Sequence, residues 1–377
     1  MQQDNVHSQT LPTYSAEGGR APKVWLLLDD RPGHATQVKG LAQHMDWHAD
    51  PLSLKFNPLN RMPNPLLGCS LFSLRRCDVQ KLRPPYPDIV VGMGRRIVPI
   101  ARWIKKNSGG TTRIVLLGRK AAGNASHIDF MVSCVHFNQV PREGFFELVV
   151  PPTQVNAESL AAARKARPNP LAGLLQPRVV LLLGGPTAQH SFDETDAAQM
   201  VSQVAMATAQ LGGDLAVVTS RRTPSATVDV IHRLAPNALV HVWRKDEKDN
   251  PYLSFLAHAD LLVVTGESES MISEAAATGV PLTIYPLREK PQGLKERVAG
   301  ALRSRAGLQG MLAALCRYIF LAGWLVPPRD LRRMHLAMEN TGMANLFNGA
   351  LNTSVPKPSG EFETLAQRLA ELTSGER

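Results

Sequence analysis

Hydroxyl and carboxylate side chains are concentrated in one short part of the chain, residues 266–274. The sequence Gly-Glu-Ser-Glu-Ser follows the apolar run 261–265, and an alanine-rich segment with helical spacing comes after it. A strand that turns into a helix in this way places unpaired backbone N–H groups and the positive end of the helix dipole at the turn. Phosphates bind well there, and ligands of open α/β sheets lie at that edge. The stretch therefore predicts a site for a nucleotide or a nucleotide sugar.

The helix that begins in this stretch carries the sharpest pair of candidate residues. Ser270 and Glu274 are four residues apart and therefore share one face of the predicted helix. The Glu274 carboxylate can accept hydrogen bonds from both hydroxyls of a ribose, while Ser268 and Ser270 can reach a phosphate. An imperfect capping box that begins at Ser270 is the structural alternative.

Two further turns follow apolar runs in the same half of the chain. Glycines at 184 and 185 would let a phosphate approach the backbone, although a tight structural turn needs the same glycines. Two arginines among the hydroxyls of residues 219–223 suit a diphosphate, and a basic loop held by surface acids is the alternative. Asn250 is a good N-cap before a later helix, and Tyr252 could flank a base. The predicted nucleotide-sugar site comprises Gly184, Gly185, Pro186, Ser220, Arg221, Arg222, Asn250, Tyr252, Ser268, Ser270, Met271 and Glu274.

Three titratable residues, Asp29, Asp30 and His34, surround a predicted strand-to-helix turn near the start of the chain. A histidine or carboxylate at this edge, facing the second half across a cleft, could deprotonate an acceptor hydroxyl as a general base. We therefore predict His34 and Asp30 as catalytic residues, and a purely structural histidine is the alternative. The acceptor is predicted to contact three further residues: Gly33, Gly94 and Arg95.

Strands alternate with helices in both halves, which indicates parallel sheets covered on both faces. Strands are predicted at residues 23–30, 88–91, 113–117, 128–133, 147–150, 179–183, 215–219, 238–242, 261–265 and 282–285. Helices are predicted at residues 37–45, 96–106, 158–165, 193–211, 225–234, 251–257 and 271–278. The predicted fold is α/β, with two Rossmann-like doubly wound domains and C-terminal helices. Its parts are a flexible tail 1–21, an acceptor domain 22–150, a linker 151–177, a nucleotide-sugar donor domain 178–292 and a helical segment 293–377.

Composition limits the class of protein. A length of 377 residues suffices for two domains, and 44% hydrophobic with 20% charged residues is a globular composition. The net charge of +10 suggests an anionic partner, either a membrane surface, a phosphate-rich substrate or nucleic acid, with a solvated basic surface as the alternative. Nucleic acid is disfavoured because no zinc-finger spacing, aromatic RNA-binding signature or recognition-helix motif is present. Four cysteines without a CxxC pair predict free thiols in a reducing compartment, and no tightly bound metal or cofactor is expected.

The segment 311–326 is the most apolar of the chain, and Arg317 interrupts it. No segment reaches ~20 uncharged apolar residues, so no transmembrane helix is predicted. A short apolar helix with Tyr318, Trp324 and basic flanks fits a membrane interface, and a helix buried against a domain is the alternative. With no signal or transit peptide evident at the N-terminus, we expect a cytoplasmic protein peripheral to the inner membrane.

Four sequence blocks occur in a familiar order: DDRPGHATQVKGLAQ, LLLGGPTAQHSFDETD, TSRRTP and NPYLSFLAHADLLVVTGESESMISEAAATGVP. Over about residues 22–290 they resemble the mitochondrial fission family called "elongated mitochondria". That family is similar to GT-B glycosyltransferases, especially the peptidoglycan transferase that adds N-acetylglucosamine to a lipid-linked acceptor. The resemblance implies that Glu274 holds the ribose of a UDP-sugar and that His34 lies near the acceptor. It also implies diphosphate contacts from Gly185, Ser220 and Arg221.

These features predict a metal-independent GT-B-like glycosyltransferase. It would move a sugar from a nucleotide diphosphate donor to a cell-envelope glycolipid or polysaccharide, for example lipopolysaccharide, while arginines and a helix dipole stabilise the leaving diphosphate. Domain closure around the donor would exclude water. Two other classes stay open. One is a non-catalytic membrane-associated adaptor of the fission type, which nucleotide-sugar turnover would contradict; the other is a nucleotide-sugar epimerase, which needs no acceptor.

Overall fold

The protein is described by a computed structural model that covers residues 21–118, 127–247 and 249–374. The tail predicted over residues 1–21 lies outside the described residues except for Ala21. Two six-stranded sheets are present in this part of the chain, and every pairing of neighbouring strands in them is parallel. The predicted fold class, two doubly wound α/β domains, is therefore confirmed.

The first sheet has the strand order β2-β1-β3-β4-β5-β6. Its strands are β1 (Val24–Leu28), β2 (Ala49–Ser53), β3 (Ile89–Met93), β4 (Arg113–Leu117), β5 (Phe130–Cys134) and β6 (Phe145–Leu148). The helices of this domain are α1 (Pro32–His44), α2 (Asn64–Leu67), α3 (Arg76–Val79) and α4 (Val98–Asn107). All five residues of β1, β3 and β5 are buried, because helices cover both faces of the sheet.

The second sheet has the order β12-β11-β10-β7-β8-β9. Its strands are β7 (Val179–Leu183), β8 (Leu215–Thr219), β9 (Leu239–His241), β10 (Leu261–Thr265), β11 (Leu282–Tyr285) and β12 (Asn345–Leu346). The helices from the linker onward are α5 (Ala157–Ala166), α6 (Glu194–Gln210), α7 (Ser225–Leu234), α8 (Tyr252–His258), α9 (Glu269–Ala276), α10 (Leu294–Ala306), α11 (Met311–Leu321), α12 (Leu331–Thr341) and α13 (Glu361–Ser374). No helix among the described residues has the length and apolar character needed to cross a membrane.

Two differences from the predicted elements concern the first domain. Helix α1 begins at Pro32, so Gly33 and His34 lie in its first turn and not in the turn that precedes it. Proline is favoured at the first helical position because its missing N–H would be unpaired there anyway. Strand β2 was not predicted, because this edge strand contains Pro51 and has no continuous buried run.

The C-terminal segment predicted over 293–377 contributes to both domains. Leu331, Met334 and Met338 of α12 belong to the same core as Leu262 and Val264 of β10 in the second domain. In contrast, the chain returns to the first domain at its end, where two leucines of α13 belong to the core of the first sheet: Leu365 and Leu369. The last helix therefore ties the end of the chain to the first sheet.

A partly buried carboxyl at the start of α13 makes this attachment depend on pH. Glu361 accepts a hydrogen bond from Val149 N at 2.6 Å, and burial raises the pKa of Glu361 from 4.5 to about 7. Because the folded-state pKa lies above the unfolded value, the stability that this group contributes is lost as pH rises from about 4.5 to about 7. Glu361→Gln removes the charge but keeps an acceptor, so we expect it to raise the melting temperature by about 3 °C at pH ~8 and hardly at pH ~4.

Thermal denaturation of the wild type and of Glu361→Gln between pH ~4 and pH ~8 measures this difference in melting temperature. Glu158→Gln, at an exposed glutamate in the first turn of α5, is the matched control. Its melting temperature should not rise relative to the wild type as the pH increases. A melting difference for Glu361→Gln that stays constant over the range would show that the carboxyl does not titrate in this window.

Candidate functional site

In each domain, several candidate residues follow the two strands between which the strand order of the sheet reverses. In the first sheet the reversal falls between β1 and β3, which are followed by Asp29 and Gly94. In the second sheet it falls between β7 and β10, which are followed by Gly184 and Gly266. Loops diverge at such a point and leave a crevice at the carboxyl ends of the strands, which is where open α/β sheets bind ligands.

The first domain holds an aspartate–histidine pair at this position. The Asp29 Oδ2 atom lies 3.0 Å from His34 Nδ1, and the side chains are 2% and 20% exposed. Asp29 also accepts a hydrogen bond from Arg31 N at 3.2 Å. Burial would raise the pKa of Asp29, but the hydrogen bond and charge of His34 outweigh it and keep the carboxylate ionised. Asp29 therefore fixes the ring, and His34 Nε2 is left without a hydrogen bond among the described residues.

The structure places the other predicted residues of this domain around the pair. The Asp30 side chain is 68% exposed and pairs with Arg96 at 2.7 Å, so its predicted catalytic role stays a prediction. Gly94 has a φ of +81° and lies against the His34 ring, where a Cβ would come within 3.0 Å of Cε1. The Arg95 guanidinium donates to the carbonyl oxygens of Met62 and Asn60, and thus supports a loop. Gly33 is exposed at the mouth of the cleft.

A cavity of about 470 Å³ joins the two domains at this point. The first domain lines it with His34, Gly94 and the exposed Arg31 and Arg61, and the second with Ser270 and Glu269 at the start of α9. The sequence predicted that His34 would face the second domain across a cleft, and the structure brings His34 and the predicted phosphate-binding Ser270 to one cavity.

The glycine turn after β7 is packed against the protein itself. Gly185 N donates to Glu267 Oε1 at 3.0 Å, and Gly184 N donates to Thr265 Oγ1 at 2.9 Å. A Cβ at Gly184 would overlap the Glu267 carboxylate, and a Cβ at Gly185 would overlap the Arg222 carbonyl. Both N–H groups are therefore occupied, so a phosphate contact of Gly184, Gly185 or the adjoining Pro186 stays a prediction.

The turn after β8 separates its two arginines. Arg222 Nη2 lies 3.1 Å from Glu267 Oε1, and Arg222 N donates to Ser220 Oγ at 3.2 Å. Burial raises the pKa of Glu267, although the Gly185 N–H and Arg222 oppose the shift. Arg221 is exposed and forms no hydrogen bond or ion pair within the described ranges. Arg221 is thus the arginine of this turn that is free to bind an anion.

The predicted ribose-binding carboxylate has one protein partner. Tyr252 donates its hydroxyl to Glu274 Oε2 at 2.7 Å, and burial raises the pKa of both groups. The remaining oxygen of Glu274 can accept a further hydrogen bond. Asn250 accepts a hydrogen bond from Tyr252 N at 2.9 Å, but α8 begins at Tyr252 and its N-cap is Pro251, so the prediction of Asn250 as the N-cap is wrong by one residue. Met271 packs on the core of the second domain.

Sequence analysis did not single out Glu269, which connects the two domains. Its Oε2 atom lies 2.7 Å from His136 Nε2, which follows β5, and 2.7 Å from Arg329 Nη2 before α12. Burial alone would raise the pKa of Glu269, but the hydrogen bond of His136 and the charge of Arg329 hold it below its ordinary value. Glu269 lies between the predicted phosphate-binding Ser268, which is buried, and Ser270, which is exposed in the cleft.

A second, smaller cavity adjoins Arg329. Its volume is about 170 Å³, and polar residues from the loops after β7 and β11 line it, among them Gln189, Lys290 and Gln292. Gln189 Nε2 donates to Arg329 O at 2.8 Å.

A buried histidine supports the turn that follows β10. His335 Nε2 lies 2.8 Å from Gly266 O, and burial lowers the pKa of His335 to about 4. The neutral ring therefore donates this hydrogen bond. Within the described ranges, no cluster of three His, Cys, Asp or Glu side chains is placed to hold a metal ion.

Comparison with known proteins gives matches over most of the chain. A family model described as "Mitochondrial fission ELM1" matches residues 32–309. The mitochondrial fission protein ELM1 of Arabidopsis thaliana is 28% identical over 255 residues, which is 60% of this chain and 58% of that protein. The chain thus spans less than two thirds of that relative. A protein of Rickettsia prowazekii, "Uncharacterized protein RP120", is 24% identical over 297 residues, 70% of this chain and 82% of that one.

Among solved structures, MurG of Acinetobacter baumannii is similar to this chain with a TM-score of 0.43 and 15% sequence identity. The superposition covers 94% of each chain.

Proposed function

The chain belongs to the mitochondrial fission ELM1 family, and we propose that it is a metal-independent glycosyltransferase. It would move a sugar from a nucleotide diphosphate donor to a hydroxyl of a cell-envelope glycolipid or polysaccharide, at the periphery of the inner membrane. The observation that carries the proposal is one shared cleft. His34, oriented by buried Asp29, lines the same cavity as Ser270 at the start of α9. In this proposal His34 would act as the general base and the start of α9 would bind phosphate on the opposite wall.

The donor would bind along the second domain. Its ribose would reach the free oxygen of Glu274, and its diphosphate would lie between Ser270 at the start of α9 and Arg221. The positive end of the helix dipole and the Arg221 guanidinium would stabilise the leaving diphosphate in the transition state. Arg222 is already paired with buried Glu267, so it would position the turn and not the phosphate.

The acceptor would bind along the first domain. In the transfer step His34 Nε2 takes the proton of the acceptor hydroxyl, the acceptor oxygen forms a bond to the anomeric carbon, and the bond from that carbon to the diphosphate breaks. The Asp29 carboxylate stabilises the imidazolium that forms and holds the ring in place. The exposed Arg31 and Arg61 would favour an acceptor that carries a phosphate.

The sugar of the donor would lie toward the smaller cavity. A carboxylate at Glu269 would repel a diphosphate, but Arg329 pairs with it and His136 lies 2.7 Å from the same oxygen. The polar lining beside Arg329, with amides at Gln189 and Gln292, offers donors and acceptors for sugar hydroxyls.

A thermal-shift screen with UDP, GDP, CMP and ADP sugars tests the donor site. At about 100 times the dissociation constant, a bound donor should stabilise the protein by about 2.7 kcal/mol. We expect one nucleotide class to raise the melting temperature of the wild type, and Glu274→Ala to lose most of the shift because the ribose contact is gone. The measurement is the melting temperature with and without each sugar.

Glu194→Ala is the matched control, since it removes an exposed glutamate from α6 in the same domain and should keep the full shift. No shift with any sugar in a folded protein would contradict the proposal and support a non-catalytic adaptor. Conversion of the free donor into another sugar without an acceptor would instead support an epimerase.

A further inference from the structure

Helix α11 exposes an apolar face that nothing in the described structure covers. Met311 is 90% exposed, and Leu312, Leu315 and Tyr318 are each more than half exposed. Trp324 follows the helix with 73% of its surface exposed, and its ring packs edge-on to Tyr318 at 6.0 Å. An exposed apolar patch that contains Tyr and Trp is typical of an interaction surface and not of a solvated helix.

The charge that interrupts this segment in the sequence does not lie on the exposed face. Arg317 Nη1 donates to the carbonyl oxygens of Ala306 and Leu308 at 3.1 and 2.9 Å, and so closes the end of α10. Arg317 is the only charged residue of α11. The face is therefore uninterrupted by charge along the whole helix.

The α10–α11 hairpin is fixed in place, so the apolar face is presented outward. On its inner side Cys316 and Phe320 pack with Val140 of the first domain. Arg303 of α10 also donates to the carbonyl oxygens of Asn138 and Gln139 at 2.7 and 2.8 Å. The same loop begins at Phe137, which lines the cleft between the domains. The hairpin is thus attached to the loop that lines the candidate site.

Positive charge lies on α10, the helix that packs against α11. Lys295, Arg297 and Arg305 of α10 are exposed, and Glu296 is the only acidic residue between positions 294 and 326. Leu294 and Val298, one helical turn apart, expose apolar side chains between these cations. A pattern of apolar and aromatic side chains rimmed by Lys and Arg matches the boundary of an anionic bilayer.

We propose that the α10–α11 hairpin, with Trp324, is a docking surface for an anionic lipid bilayer. A second copy of the chain fits less well, because a symmetric contact through this face would bring the cations of one copy against those of the other. The role of the surface in presenting a glycolipid to the cleft rests on the proposed function, but lipid binding itself does not require sugar transfer.

Vesicle flotation tests this surface. We expect the full chain to bind vesicles that contain phosphatidylglycerol and to bind phosphatidylcholine vesicles about tenfold or more weakly. Met311→Gln combined with Leu315→Gln should lose binding to both. Arg297→Gln combined with Arg305→Gln should lose the preference for the anionic lipid and the sensitivity to salt. Trp324→Phe should remove the blue shift of tryptophan fluorescence that binding causes.

Phe72→Gln is the control. It removes an apolar side chain of the first domain that is 74% exposed, close to the 73% of Trp324, and this variant should bind vesicles as the wild type does. Circular dichroism and the melting temperature of each variant verify that the fold is intact. Wild-type protein that binds no vesicles, or a Met311→Gln/Leu315→Gln variant that binds them fully, would overturn the proposal. So would a dimer formed without lipid that the same pair of substitutions abolishes. Vesicle binding without any nucleotide-sugar shift would instead refute the glycosyltransferase alone.

Discussion

Gly184→Ala is expected to destabilise the second domain by about 3 kcal/mol or more, because it disrupts a buried ionic contact. The Glu267 side chain is fully buried beneath Gly184, where it accepts hydrogen bonds from Gly185 N and lies 3.1 Å from Arg222. A methyl group at position 184 would occupy the place of the carboxylate. A displaced Glu267 would lose these partners while it stays buried. Thermal unfolding should show a midpoint lower by about 6–12 °C.

A double-mutant cycle with Glu267→Ala separates the clash from any general cost of alanine in the turn. Glu267→Ala is itself destabilising, since it leaves the Gly185 N–H and Arg222 unpaired, but it removes the group that the methyl would strike. Gly184→Ala should then cost little in that background, which gives a large coupling energy. Gly173→Ala, where nothing lies within 4 Å of the added Cβ, is the control. Additive effects of the two changes would show that Glu267 is not the reason for the glycine.

The second sheet could be predicted closely from the sequence because its central strands are buried on both faces. Such strands are continuous apolar runs with polar or glycine turns at their ends, and the predicted bounds of β8 and β10 agree with the structure. Edge strands lack this pattern. β2 contains Pro51 and β12 has only two residues, so neither gives a recognisable signal.

The candidate site could be predicted only where its residues follow a strand directly. Neighbours across the site come from distant parts of the chain, and no local pattern pairs Glu269 with His136 or Arg329. Glycine is ambiguous for a similar reason, because the sequence does not tell whether the space at Gly184 is left for a phosphate or for Glu267. Asp29 and Asp30 show the same limit: one is 2% and the other 68% exposed, and the sequence does not say which faces the cleft.

His34→Ala is expected to lower the rate of sugar transfer by about 10²–10⁴-fold, the usual contribution of a general base. Donor binding should not change, since Glu274 and Arg221 belong to the other domain. The measurement is single-turnover release of the nucleotide, with the donor class found by thermal shift, beside the melting shift of the same variant. An equal loss of donor binding would mean that the substitution disturbs the cleft as a whole.

Asp29→Asn tests whether His34 acts with Asp29, its partner in the structure, or with Asp30, which the sequence analysis predicted as catalytic. Asparagine keeps the shape of the side chain but cannot stabilise the imidazolium at His34, so transfer should fall by about 10²-fold or more while donor binding persists. Asp30→Asn removes only an exposed charge paired with Arg96, and its effect should be small by comparison. The opposite order, with transfer lost in Asp30→Asn and kept in Asp29→Asn, would mean that the buried aspartate only supports the start of α1. His34 would then act without help from Asp29, its hydrogen-bond partner in the structure.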